Sequence, residues 1–245
     1  MTEPSENEGL DIAGFGKIAK AIPPKVYERS ATMLLTTFQQ LTAPITETTS
    51  GLGRYLKQKF DNMVEAEKAI ATYTVEKAIS RAREKAQLAG RALQPPASSK
   101  TFVKAIEEAS KETDPLLHEM WANLIASQLT DKTCHPHFVE ILPHFSPAEA
   151  RLLISLLPRP EIGDNAGGYL AASDDAFKYW MSKAGGALNP WSISCVLLQE
   201  FRFADLVGPK GGKPEATAIL FRTALGSAFL SAVSTSSKAE GSAGK

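Results

Sequence analysis

Between Arg54 and Arg91 apolar residues return mostly at steps of three and four: Leu56, Phe60, Met63, Val64, Ile70, Tyr73, Ala78, Ile79 and Ala82. That spacing gathers them on one helical face. Neither proline nor glycine interrupts the run before Gly90, so it predicts one long helix or two nearly collinear ones. On the same segment Lys77, Arg81 and Lys85 fall at steps of four and share a face. Glu76 and Glu84 dilute that positive stripe, which predicts a solvated face rather than a nucleic-acid patch.

The same period marks helices on both sides. Residues 24–42 carry Val26, Met33, Leu34, Phe38 and Leu41, open on Pro24 and are expected to end at Pro44. Pro95-Pro96 breaks the chain, and a helix from Ser98 to Lys111 holds Phe102, Val103, Ile106 and Ala109. TDPLLHEMWANLIASQLTD then offers Asp114 as a cap and Pro115 at the first helical position. Leu117, Met120, Trp121, Leu124, Ile125 and Leu129 give it one wide apolar face, the clearest core helix of the chain.

Prolines punctuate KTCHPHFVEILPHFSPAEARLL, residues 132–153. His135-Pro136 opens a short helix with Phe138, Val139, Ile141 and Leu142 as its apolar surface. Pro143 disfavours helical geometry at the residue before it. Ser146-Pro147-Ala148-Glu149 is a reciprocal cap: the Ser146 side chain accepts from the Glu149 amide, and Glu149 reaches back to the Ser146 amide. The helix that follows buries Leu152, Leu153 and Leu156 and stops before Pro158.

The last third reads as a turn-rich loop after Pro160 and a short helix with Phe177, Trp180 and Met181. A helix capped by Asn189 and opened by Pro190 runs on to Asp205, burying Ile193, Val196, Leu197 and Phe201. ADLVGPKGGKPEATAILFR is strand, Gly/Lys turn, strand, and TALGSAFLSAV is a closing helix. The expected fold is mainly α: a multi-helix bundle with a long central helix, then a winged-helix-like module with a small β-hairpin. Domains are expected at residues 9–145 and 146–233, between disordered tails at 1–8 and 234–245. Residues 9–22 are amphipathic but rich in glycine, which favours a packed arm over a membrane-surface or partner-binding helix.

Composition narrows the chemistry. Lys+Arg and Asp+Glu are both 27, so the formal net charge is zero and any nucleic-acid role rests on a local patch. The candidate contacts are Arg202, Lys210 and Lys213, a thin set for DNA. Two cysteines, Cys134 and Cys195, make no disulfide framework, and the chain reads as cytoplasmic. The N-terminus lacks the regions of a signal peptide and no stretch is long enough to span a membrane. Peripheral membrane contact, if any, would use residues 9–42.

Four histidines invite a metal reading, with His118, Cys134, His135, His137 and His144 as its candidates. Their spacings match no zinc pattern, and interfacial or capping histidines are the preferred reading. There is no GxSxG elbow. GPKGGKPE lacks the first glycine and the Ser/Thr of a phosphate loop. Asp174-Asp175 is a helix start. Neither a catalytic residue, a metal nor a cofactor is expected.

EASKETDPLLHEMWANLIASQL, followed by HPHFVEILPHFSPAEARLL, resembles the signature of the bacterial abortive-infection alpha (Abi-alpha) family. Trp121, Ala122, Asn123, Leu124, His135, Pro136, Phe138, Ser146, Pro147 and Glu149 stand at the matching positions, and Phe145 replaces a leucine. AIPPKVYERSA is similar to the family's entry segment, with Arg29 where an aspartate is common. The C-terminal FADLV…TALGSAFLSA is similar to its ending. The resemblance extends over about residues 20–233. It implies phage defence by abortive infection and carries over no catalytic residue. The expected function is therefore a defence effector acting through an unknown protein partner or self-association. A winged-helix DNA-binding regulator is the alternative, and a metal-dependent hydrolase comes last.

Overall fold

The computed structural model describes residues 28–29, 31–46, 51–131, 134–156, 158, 190–207 and 219–234. The amphipathic stretch 9–22, Pro24, the loop after Pro160, the short helix at Phe177, Asn189, Lys210, Lys213 and residues 1–8 and 235–245 lie outside them. Among the described residues the fold is mainly α, with nine helices and one two-stranded antiparallel hairpin.

The chain divides into two compact units between Leu129 and Thr130. Residues 130–145, placed by the sequence with the first domain, therefore belong to the second unit.

The first unit contains α1 (Ala31–Thr46), α2 (Leu52–Asp61), α3 (Glu65–Leu88), α4 (Ser99–Ala109) and α5 (Pro115–Gln128). α1 runs past Pro44, where the sequence predicted its end. Of the two alternatives that the spacing leaves, one long helix or two, two helices form, α2 and α3, separated at Asn62–Val64. No proline or glycine marks this break. Val64 takes an extended ψ of 160° there and stands 63% exposed, although its spacing placed it on the buried stripe. Glu65 and Glu67 then occupy the first turn of α3, where carboxylates complement the helix dipole.

α1 packs on α2 and α3, and α5 packs on α3 and α4. Leu34 and Phe38 are buried, and the Phe38 ring stacks on Phe60 of α2 at 4.3 Å. That part of residues 9–42 thus turns its apolar face inward; Met33, expected on that face, is exposed. Ser98 caps α4 by accepting from the Thr101 amide. Asp114 caps α5 by accepting from the Leu116 and Leu117 amides, with Pro115 at the first position as the sequence indicates. α5 is buried on every side over its last two turns, and Trp121 is 1% exposed.

The second unit contains α6 (His137–Ile141), a 3-10 turn (Leu142–His144), α7 (Pro147–Ser155), α8 (Pro190–Glu200), β1 (Ala204–Val207), β2 (Ile219–Arg222) and α9 (Ala224–Val233). The strands pair with Ala204 opposite Arg222 and Val207 opposite Ile219. An isolated parallel bridge joins Pro158 to Arg222 at the edge. Five phenylalanines form the core. Phe203 stacks on Phe229 at 4.5 Å, Phe138 meets Phe229 edge-on at 5.3 Å, and Phe145 lies against Phe201, Phe203 and Phe229.

α8 departs from the sequence reading twice. It ends at Glu200, not Asp205, because the chain turns at Arg202 into β1. Its buried side chains are Ser194, Cys195 and Leu198, whereas Ile193 and Val196 are exposed and Leu197 and Phe201 are half-buried. Apolar residues surround this helix, so periodicity alone does not select a face. A polar contact selects it: the Ser194 hydroxyl donates to the buried Glu149 carboxylate at 2.6 Å.

Candidate functional site

α3 and α5 meet along a ladder of polar side chains. Thr74, Lys77, Arg81 and Lys85 of α3 face His118, Glu119, Asn123 and Ser127 of α5. Partner numbers rise together along both helices, so the two run parallel. The steps of four on each side reproduce the helical repeat, which keeps both sets on the facing stripes.

Glu119 holds the centre. Lys77 Nζ donates to its Oε1 and Arg81 Nη2 to its Oε2. Arg81 Nη1 also donates to the Glu119 carbonyl at 3.3 Å and to Asn123 Oδ1 at 3.0 Å. Lys77 Nζ lies 5.5 Å from the centre of the Tyr73 ring. Burial pulls the Lys77 ammonium below its ordinary pKa, with the Arg81 charge adding to it. Burial also lowers Arg81, against the attraction of Tyr73 and Glu84. The lysine/arginine stripe, read from sequence as a solvated face, is an interhelical seam. The missed signal was its complement: Glu119, Asn123 and Ser127 also stand at steps of four.

Removing the central carboxylate leaves two half-buried cations facing each other. The expected cost of Glu119→Gln is about 2 kcal/mol, between the value of a surface pair and that of a buried one. Urea unfolding checks it, and an unchanged midpoint would count against the seam.

His118 opens the ladder. It is 5% exposed, stacks on Tyr73 at 5.6 Å, and its Nε2 lies 2.6 Å from Thr74 Oγ1. The Thr74 hydroxyl donates its only proton to the Ile70 carbonyl at 2.8 Å. His118 Nε2 must therefore be the donor to Thr74 Oγ1, which leaves Nδ1 unprotonated in the neutral ring. Burial, then the Lys77 and Arg81 charges, bring its pKa down to about 4.

The other metal candidates have local duties. His135 Nδ1 accepts the His137 amide at 3.2 Å, which is the turn role expected of a His-Pro step. The His135 and His137 rings stand edge-on with centres 6.2 Å apart. The His144 ring tilts over Phe201 at 6.3 Å. Among the described residues no three His, Cys, Asp or Glu side chains converge as a metal site requires. Burial pushes the Cys195 thiol up to about 12, so it is no nucleophile.

Glu149 is a carboxylate used from within. Ser146 donates to it from amide and hydroxyl, which completes the expected capping box, and Ser194 donates from α8. Burial pushes its pKa up, but the hydrogen bonds from Ser146 and Ser194 outweigh this and hold it below the ordinary carboxylate value. Its stabilising effect is present above that ordinary value and is lost as pH falls through the depressed one.

The singled-out residues thus sort by internal partner. Trp121 is buried, Asn123 accepts from Arg81, His135 orders a turn, and Phe138 enters the aromatic cluster. Ser146, Pro147 and Glu149 start α7 and tie it to α8. Arg202, assigned by sequence to a recognition helix, lies beyond the end of α8 in a turn. The exposed face of α8 presents Ile193, Val196 and Glu200, the wrong chemistry for phosphates. Among the described residues no helix is long and apolar enough to cross a membrane.

Comparison with known proteins places these elements. Residues 66–174 match the family model described as abortive infection alpha, the family that the sequence resembles. No curated protein and no solved structure matches the chain.

Proposed function

From the match of residues 66–174 to the abortive infection alpha family, we propose that this chain is a phage-defence protein of the abortive-infection type, acting in the cytoplasm by binding rather than by catalysis. The match is the observation that carries the reading. It spans α3 to α7, which include the polar seam, the His-Pro turn and the capped start of α7. The binding half rests on how those polar groups are used. A catalytic group needs a free reactive atom beside an empty place for substrate. Here Glu119 is held by Lys77 and Arg81, His118 by Thr74, and Glu149 by Ser146 and Ser194. Each fixes one helix to another, which suits a scaffold that presents a surface to a partner.

Single-cycle infection of the host bacterium tests this. Cells expressing the chain are expected to release markedly fewer phage per infected cell than cells with an empty vector. An unchanged burst across a panel of the host's own phages would remove the reading.

A further inference from the structure

We draw no further inference here: the strongest candidate, the exposed stripe of Ile193 and Val196 on α8 beside the left-handed Arg202, carries nothing, because nothing in the structure shows what covers it.

Discussion

Gly226→Ala is expected to destabilise the second unit by about 3 kcal/mol, the upper part of the usual overpacking range. Gly226 sits in the first turn of α9, where alanine would normally favour the helix by about 1 kcal/mol. Sterics reverse the sign. A Cβ at this position would lie 2.1 Å from the Phe203 carbonyl oxygen and 2.9 Å from its carbon. That carbonyl is not free to retreat, because it accepts the Thr223 amide at 3.0 Å. The Phe203 side chain is fully buried and stacked on Phe229. Shifting α9 outward would pull Phe229 from three ring contacts at once, those with Phe138, Phe145 and Phe203. Thermal unfolding of the variant should show the loss. A midpoint equal to or above that of wild type would mean that the close approach of α9 to Phe203 is wrong.

The second large effect is a loss of stability on mild acidification, traced to His118. Its ordinary pKa is 6.5 and burial brings it to about 4 in the folded chain. The unfolded chain therefore binds the proton more readily between these values, and protons favour unfolding throughout that window. The full contribution of neutral His118 is present above pH 6.5. It is lost progressively down to about pH 4 and does not change further below that. At about 1.4 kcal/mol per pKa unit, the loss across the window is about 3 kcal/mol. The acid-added proton goes to Nδ1, since Nε2 already carries one toward Thr74 Oγ1. His118→Gln keeps an N–H for Thr74 and does not titrate. The difference in unfolding free energy between wild type and variant should therefore shrink as pH drops from 6.5 to 4. Glu149 acts lower, below the ordinary carboxylate value of 4.5, and is common to both proteins. A difference that is flat with pH would show that His118 is not buried among cations.

Local signals read well from the sequence. Asp114-Pro115, Ser146-Pro147 with Glu149, and the His135-Pro136 step each contain their partners within a few residues, and each forms as its chemistry dictates. The hairpin is legible for the same reason, because two β-compatible runs lie close together in the chain. What failed depends on partners distant in the chain. The choice between one helix and two over α2 and α3 stays open for want of a proline or glycine at the break. The buried face of α8 is chosen by Ser194 meeting Glu149, 45 residues away. The seam needed two helices read against each other: Lys77, Arg81 and Lys85 alone describe an exposed stripe, and only Glu119, Asn123 and Ser127 turn it inward. Arg202 was misplaced because a left-handed helix end normally advertises itself with glycine.

These distant partnerships also explain why a recognisable signature need not be a catalytic one. Asn123 and Glu149 are polar, buried and spent on Arg81, Ser146 and Ser194. Among the described residues of the matched segment, Cys134, His135 and His137 gather metal-ligating or nucleophilic side chains at one turn, with both histidines exposed. They are the residues on which binding and catalysis part company.

The direct measurement is the phage burst from cells carrying Cys134→Ala, His135→Asn and His137→Ala together. Asparagine at 135 keeps a side-chain acceptor for the amide of residue 137, so the turn and the fold are retained. An effector that works by binding elsewhere on its surface suppresses the burst as strongly as wild type. A folded triple variant that restores the full burst while wild type suppresses it would contradict the account and place chemistry at the histidine turn.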